Sequence, residues 1–502
     1  MMEKSLFAQF CEVIRDEMTH LHIPGVAVGI LDGDACDTAG FGVTNVEHPL
    51  PVDADTLFQI GSISKTITAA AAMRLVEAGR LDLDAPLRRY LPELRLADEA
   101  VAAQVTAHHL FTHTAGWAVD YFADGGPGDD ALANIVARLA ALPQVSPLGR
   151  YWSYNNAAFY LAGRLLEVLE GRPFDVLARD QVLGPLGMRM SFFSAADCIT
   201  HAVAVGHEAV YGDGPDGGKR TPAVARPWGL PRAIGPLGGI VSTVNDLLRY
   251  ARFQMGDGTA ADATAVETTE GDGTEGAGAA GARMRGDASG KARRLLAPGS
   301  LAFMHTPYVP AANGECMGLA WFIRAVPRSD GESVRVIRHG GGTKGQISTI
   351  QFAPARRFAV VILTNSKRGD ELTAHAVRWA LEHYLGAHDV EPMALPATAE
   401  ELAHYAGRYR ALGEDLVLRV VEGAHLLVEF VPLGGFPTPD TPPMPAPPPV
   451  RAALTAGGEG GHGDDGLLLL DEPAKGQQGE FLREGGELAW LRLGGRLHAR
   501  VK

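Results

Sequence analysis

The segment Phe58 to Gly79, FQIGSISKTITAAAAMRLVEAG, decides how the rest of the chain is interpreted. From Ile63 to Ala78 it is rich in helix-forming residues and apolar on most sides, which predicts a helix buried in the middle of a domain. Ser62 and Lys65 stand where a loop enters that helix. Because three residues make nearly one helical turn, their hydroxyl and amine lie on the same face. A serine hydroxyl is a weak nucleophile without a neighbouring base, so the spacing suits proton transfer from Ser62 to Lys65.

The surroundings predicted for this pair favour the same chemistry. An ammonium among apolar residues has its pKa lowered by desolvation, which makes a neutral amine accessible at Lys65. A helix N-terminus adds backbone N–H groups and a favourable dipole for an oxyanion at Ser62. The alternative is that Ser62 only caps the helix and that Lys65 is solvated. The motif alone leaves both interpretations open.

Working outward, the chain alternates helices with short antiparallel strands. Hydrophobic residues recur at three and four over roughly the first 20 residues, which predicts an amphipathic helix. The other predicted elements have the turn signals and the apolar runs of a hairpin, of two further strands and of a closing helix. They are Val26 to Leu31, Asp32-Gly33 as a turn, Phe41 to Thr44, Gln346 to Phe352, Phe358 to Asn365 and Leu372 to Leu385. This order indicates an α+β plan, with an antiparallel sheet flanked by helices.

The last hundred residues have a different pattern, which predicts a second domain. Short apolar runs separated by Gly-rich turns indicate a small antiparallel β domain. Its runs are Asp415 to Val421, Ala424 to Val431, Leu467 to Leu470, Glu480 to Arg483 and Glu487 to Leu493. A Pro- and Gly-rich loop, 432–464, interrupts these runs, so the sequence leaves closure of a barrel open. We therefore expect domains over 1–390 and 397–502, with a disordered surface insertion at 256–292 in the first.

Composition narrows the classes of function. With 45 Lys plus Arg against 59 Asp plus Glu, the net charge is −14, which makes nucleic acid a poor partner. The N-terminus lacks the apolar core of a secretory signal and no run reaches a membrane span, which predicts a cytoplasmic protein without a membrane partner. His109 and His113 have a helical metal spacing, but no Glu follows His109 as a zinc motif requires. We expect neither a metal nor another cofactor.

Two further motifs extend the Ser-x-x-Lys signal. Tyr154-x-Asn156 follows it, and His339-Gly340-Gly341 comes later in the chain. In this order the three motifs resemble the site of the serine β-lactamase and penicillin-binding-protein superfamily. The chain is most similar to the class C β-lactamase-related serine hydrolases, which include carboxylesterases and D-amino-acid-specific peptidases. The resemblance implies the β-lactamase/transpeptidase-like fold, with an all-helical subdomain beside the sheet and the site at their junction. Appended domains in related chains look like lipocalin-type barrels, so the resemblance implies a barrel of that type for the C-terminal β domain.

The resemblance also implies an acyl-enzyme mechanism. Ser62 attacks a carbonyl carbon, and Lys65 and Tyr154 share its proton. The oxyanion lies between the backbone N–H groups of Ser62 and Gly342. The Asn156 amide donates to a substrate carbonyl while its oxygen accepts from Lys65. Substrate binding then falls to Asn156, His339, Gly341 and Gly342, and small glycines let a substrate backbone approach the strand edge.

The third motif departs from the Lys-Thr-Gly of β-lactamases. His339 is mostly neutral at pH 7, which lowers the expectation of a β-lactam or free D-Ala-D-Ala carboxylate as ligand. Lys344 lies close in sequence, but its direction is open. The leading hypothesis is a serine hydrolase of small esters or amides. The alternatives are a D-amino-acid-specific peptidase or transpeptidase, a weak β-lactamase, and a catalytically silent ligand-binding protein of the same fold.

Overall fold

The molecule is described here by a computed structural model, which covers residues 4–118, 120–210, 221–257, 294–422, 424–434, 442–443, 445–456, 465–472 and 474–501. The insertion predicted at 256–292 lies outside these residues beyond Asp257. Much of the loop predicted at 432–464 lies outside them as well.

The strands of the described residues belong to two large sheets and two small ones. Numbered in chain order, they are β1 (Gly25–Asp32), β2 (Ala35–Gly42), β3 (Phe58–Gln59), β4 (His207–Val210), β5 (Thr221–Val224), β6 (Val241–Ser242), β7 (Val309–Pro310), β8 (Cys316–Met317), β9 (Phe322–Pro327), β10 (Ser333–Thr343), β11 (Gln346–Ala353), β12 (Phe358–Thr364), β13 (Ala394–Leu395), β14 (Gly407–Ala411), β15 (Glu414–Val421), β16 (His425–Pro432), β17 (Val450–Ala456), β18 (Asp465–Leu469), β19 (Gln478–Glu484), β20 (Glu487–Leu493) and β21 (Arg496–Arg500).

Most of the helices lie between β3 and β6 or against the first sheet. They are α1 (Leu6–Leu21), α2 (Ser64–Glu77), α3 (Glu99–Gln104), α4 (Ala107–Phe111), α5 (Ala131–Arg138), α6 (Ala157–Glu170), α7 (Phe174–Ala178), α8 (Ala195–Cys198), α9 (Gly235–Gly238), α10 (Val244–Arg252), α11 (Pro298–Met304), α12 (Gly369–Leu385) and α13 (Ala399–Ala403).

The first sheet has the strand order β2-β1-β12-β11-β10-β9-β8-β7. Both of its faces are covered, which explains why β1 is apolar without alternation. Val26, Val28 and Ile30 pack with α1 and α12 on one face. Ala27 and Leu31 join the larger core that includes the helical subdomain on the other. The sheet, the flanking helices and the helical subdomain confirm the α+β prediction.

Helix α2 lies inside that larger core. Its residues from Ser64 to Met73 are all buried, as is Leu75, which agrees with a helix that is apolar on most sides. Because this helix contacts α6 and α9 of the subdomain, its first turn lies where the subdomain meets the sheet. The segment that begins the helix therefore stands at the junction of the two parts.

The second large sheet closes into a barrel, which the sequence left open. Its order is β13-β17-β16-β15-β14-β21-β20-β19-β18, and β17 also pairs with β18. The strand β17 supplies that closing pair, with Ala453 opposite Leu468. The predicted runs do not include β13, β14, β17 and β21, each of which is short or borders a Gly- or Pro-rich stretch. The prediction of a small antiparallel β domain is confirmed.

Among the described residues, no helix has the length and apolarity needed to cross a membrane.

Candidate active site

Ser62 stands in a single 3₁₀ turn, Gly61–Ile63, that leads into α2. The turn begins with a left-handed residue, since Gly61 has φ +50°. A side chain at Gly61 would also place a Cβ atom 2.6 Å from the backbone nitrogen of Gly342. Only glycine meets both conditions without strain. The turn is thus held against β10, with the Ser62 side chain facing a cavity.

Lys65 is fully buried one turn further on. Its Nζ atom donates to Ser62 Oγ at 2.9 Å and to the Leu237 carbonyl at 2.7 Å. Burial, with a smaller effect of the nearby Arg496 cation, holds the pKa of Lys65 well below its ordinary value. Burial thus favours the neutral amine over a solvated ammonium, and this amine contacts the serine hydroxyl.

Tyr154 meets the same hydroxyl from the other side. Its phenol hydrogen-bonds Ser62, and Lys65 Nζ lies 5.1 Å from the centre of its ring. Burial raises the pKa of Tyr154 to about 12, although the Ser62 hydrogen bond and Arg496 oppose this. Burial therefore outweighs the nearby positive charge, so the phenol is protonated at neutral pH. The phenol and the Lys65 amine are coupled through one serine.

His113, the second histidine of the helical spacing, packs against Tyr154. The two rings stack with centroids 4.4 Å apart, and His113 Nδ1 accepts from the backbone N–H of Asn155 at 2.9 Å. Burial and neighbouring cations keep the pKa of His113 well below its ordinary value, so the ring is neutral. No group of three or more His, Cys, Asp or Glu side chains suited to a metal occurs in the described part of the chain.

The third motif lies at the end of strand β10, directly ahead of the predicted strand that forms β11. Gly341, which lines the cavity, has a packing role in addition to the expected substrate approach. A Cβ atom there would lie 1.9 Å from the Ile60 carbonyl oxygen, just before the nucleophile turn. Ser348 Oγ donates to the same oxygen at 2.8 Å. Gly341 therefore allows the strand to pack directly against the backbone that precedes Ser62.

His339 is buried beside the reacting groups. Its Nδ1 lies 2.6 Å from the Gly340 carbonyl, and its ring lies 6.2 Å from that of Tyr154. Burial lowers the pKa of His339 to about 3, and the charge of Lys65 acts in the same direction. The ring is therefore neutral at physiological pH, as the departure from Lys-Thr-Gly predicted.

A cavity of about 790 Å³ joins most of the predicted site residues. Its lining includes Ser62, Tyr154, His339, Gly341 and Gly342. The structure places these residues together, although they come from three separate parts of the sequence.

Asn156 has a different partner from the one expected. Its amide nitrogen donates to Asp120 Oδ1 at 2.8 Å, and the side chain is buried. Lys65 donates to Ser62 and Leu237 instead of to the Asn156 oxygen. Asn156 thus connects the site to Asp120, which the sequence analysis did not single out.

Two further residues were missed because they come from the C-terminal barrel. Gly495 and Arg496, at the turn between β20 and β21, line the cavity. The Gly494-Gly495 pair is a hairpin signal that could have identified the turn. Nothing local in the sequence indicates that this turn reaches Ser62.

The cations around the cavity all have acidic partners. Lys344 Nζ is directed away, to the Arg226 carbonyl. Four arginines belong to the described lining, and each is paired with a carboxylate: Arg324 with Asp389 at 2.6 Å, Arg338 with Glu315 at 2.6 Å, Arg378 with Glu391 at 2.7 Å and Arg496 with Asp120 at 2.8 Å. Burial of a charge is tolerated where it is paired in this way.

The fold and this constellation of groups define the superfamily of serine β-lactamases and penicillin-binding proteins, as the motifs predicted. More narrowly, the chain belongs to the Beta-lactamase family, whose profile matches residues 10–384. Penicillin-binding protein 4 of Amycolatopsis lactamdurans is 32% identical over 402 residues, which make up 79% of this chain and 95% of that protein. Esterase EstB of Burkholderia gladioli is 34% identical over 215 residues, 39% of this chain and 53% of the esterase.

A solved structure shares the whole architecture. The crystal structure of SurE superposes with a TM-score of 0.69 at 21% identity, covering 99% of each chain. At that identity the likeness concerns the fold alone.

Proposed function

We propose that this protein is a serine hydrolase that forms an acyl-enzyme on Ser62 and acts on small neutral esters or amides. One observation carries the proposal: the fully buried amine of Lys65 lies 2.9 Å from Ser62 Oγ at a cavity wall. A hydroxyl with a base at this distance is an activated nucleophile. Tyr154 on the same hydroxyl supplies a second route for the proton.

The reaction proceeds in two halves. Lys65 takes the Ser62 proton while Oγ forms a bond to the substrate carbonyl carbon. As the tetrahedral adduct collapses, the bond to the leaving group breaks and the proton passes to that group, by way of Tyr154. Water then attacks the acyl-serine, giving its proton to the same pair, and the acid product and the Ser62 hydroxyl are released.

The oxyanion is assigned to the backbone N–H groups of Ser62 and Gly342. The close packing of Gly61 against Gly342 supports this assignment, because it brings the Gly342 nitrogen next to the turn that carries Ser62. Both amides belong to regular elements, the 3₁₀ turn and β10, so they need little reorganisation during the reaction.

The charge around the cavity favours a substrate without a free carboxylate. Each arginine of the described lining already has an acidic partner, and His339 is neutral. A substrate carboxylate would therefore meet cations whose charge is already largely offset. The esterase relative agrees with this preference.

A second candidate is acylation by a β-lactam or a D-amino-acyl amide. The name of the penicillin-binding relative, which matches almost all of its own length, favours it. The paired arginines argue against efficient turnover of such an anionic ligand. We therefore rank it below the neutral ester or amide.

Mass spectrometry of the intact protein after treatment with a fluorophosphonate tests the proposal. We expect one adduct, mapped to Ser62 and abolished by Ser62→Ala. Ser348→Ala is the matched control, since Ser348 lines the same cavity but its hydroxyl is bonded to the Ile60 carbonyl. An unmodified folded protein would mean a catalytically silent binding protein. Values of kcat/KM on a p-nitrophenyl ester, a D-Ala-p-nitroanilide and a cephalosporin then rank the substrate classes.

A further inference from the structure

The C-terminal barrel holds the backbone of the segment that carries Tyr154. The N–H of Tyr154 donates to the Gly495 carbonyl at 2.9 Å, and the N–H of Leu497 donates to Ser153 Oγ at 3.3 Å. Arg492 donates to the Trp152 carbonyl at 3.1 Å. These bonds fix the turn between β20 and β21 against three successive residues ending at the phenol.

Arg496 extends from this turn over the phenol itself. Its guanidinium carbon lies 4.9 Å from the centre of the Tyr154 ring. Nε and Nη2 donate to the two oxygens of Asp120 at 2.8 and 2.9 Å, a bidentate geometry that fixes the guanidinium plane. Asp120 also accepts the amide of Asn156, so one carboxylate holds both groups.

We propose that Arg496 is a positioning residue of the hydrolase site: fixed by Asp120, it keeps a positive charge beside the Ser62–Lys65–Tyr154 group, and Asp120 orients Asn156. The C-terminal barrel thereby supplies part of the active site. This inference rests on the proposed acyl-enzyme function and assigns a role in it to the second domain.

The two charges act in opposite directions on the proton shared by Lys65 and Tyr154. Burial is the largest effect on both groups: it lowers the pKa of Lys65 and raises that of Tyr154. Arg496 lowers both pKa values, and Asp120 raises both. Burial would raise the pKa of Asp120, but the ion pair with Arg496 outweighs it and keeps this carboxyl ionised. The net field at the pair therefore depends on both members of the ion pair.

The other ionisable groups facing the pair do not compensate for this field. His113, stacked on Tyr154, and His339, from β10, are both neutral because burial lowers their pKa values. Arg338 beside His339 is bonded to Glu315.

On the barrel side, Glu414 adds to the effect of Asp120 on Arg496, whose pKa stays above its ordinary value despite burial. Arg492, also from the barrel, is paired with Glu480. Arg496 is thus cationic across the working range of pH.

The test is the pH dependence of kcat on p-nitrophenyl acetate, a neutral probe, with the full-length chain. The acid limb of this profile is the fall in kcat at low pH, where Lys65 and Tyr154 are both protonated. Removing the cation by Arg496→Gln should move this limb to higher pH by about one unit, because the form with both groups protonated becomes more stable. Arg496→Lys keeps the charge and should leave the limb within about 0.3 units of the wild type. Asp120→Asn removes the anion and should move the limb to lower pH.

Opposite shifts cannot come from a merely structural role, which lowers kcat at every pH alike. The double variant Arg496→Gln/Asp120→Asn should place its limb between those of the single variants. An unmoved limb in Arg496→Gln, or a change confined to KM, overturns the inference. If Arg496→Gln does not fold, Asp120→Asn decides it by the same criterion. Wild-type protein that forms no Ser62 adduct would instead refute the proposed function.

Discussion

Replacing Gly341 by alanine tests how the sheet positions the nucleophile. The new Cβ atom would lie 1.9 Å from the Ile60 carbonyl oxygen, whereas contacts under 3.0 Å are essentially never seen for real Cβ atoms. Strand β10 and the turn that carries Ser62 must therefore separate by about 1 Å. A misplacement of that size costs about 100-fold in rate, since the reacting atoms leave their near-attack geometry.

Gly340→Ala is the matched control for this prediction. A Cβ atom at Gly340 meets only the Ser348 carbonyl at 3.6 Å, an ordinary contact. We expect kcat/KM on p-nitrophenyl acetate to fall about 100-fold in Gly341→Ala and less than about threefold in Gly340→Ala. Thermal unfolding of both variants separates local displacement from loss of the fold. Equal activities in the two folded variants would refute the close-packing argument.

Three further predictions concern the base, its titration and the barrel contact. Lys65→Met removes the amine that contacts Ser62, and kcat should fall by about 10²–10⁴-fold with the fold retained; a loss below tenfold in stopped-flow or steady-state assays would contradict its role. Because burial favours the neutral amine, kcat/KM should decrease as the pH is lowered and the Lys65–Tyr154 pair gains a proton. His339→Gln should leave the position of this acid limb unchanged, since the pKa of His339 is about 3. A profile that is flat down to about pH 5 would count against the assignment. Glu480→Ala leaves the buried Arg492 cation without its carboxylate and should destabilise the protein by about 3–5 kcal/mol in urea unfolding, while Glu484→Ala, exposed on the same strand, should change stability by less than about 0.5 kcal/mol.

The barrel contact explains why these perturbations extend beyond their own domain. Arg492 and Glu480 form a buried pair, and Arg492 also donates to the carbonyls of Trp152 and Ala311. Polar backbone groups of the first domain are therefore satisfied by side chains of the second. Loss of such partners leaves buried acceptors unpaired, which is costly.

Much of the candidate site could be predicted from the sequence. Ser62, Tyr154 and His339, each from a different motif, line one cavity, and Lys65 is buried in contact with Ser62. The neutral state inferred for His339 agrees with its burial. The structure gives Asn156 a different environment from the expected one: its amide nitrogen donates to Asp120, and Lys65 donates to Ser62 and to the Leu237 carbonyl. An amide side chain bonds whichever group the fold brings near, and residue spacing carries no information about that.

What the sequence by itself determined are features with a short physical range. A serine and a lysine three residues apart share a helical face wherever the helix lies, and a run of helix-forming apolar residues must be buried. The position of Arg496 beside Tyr154 and the closure of the barrel were decided only by the tertiary structure. Both depend on contacts between distant segments, which are selected by the shape and buried hydrogen bonds of the assembled domains.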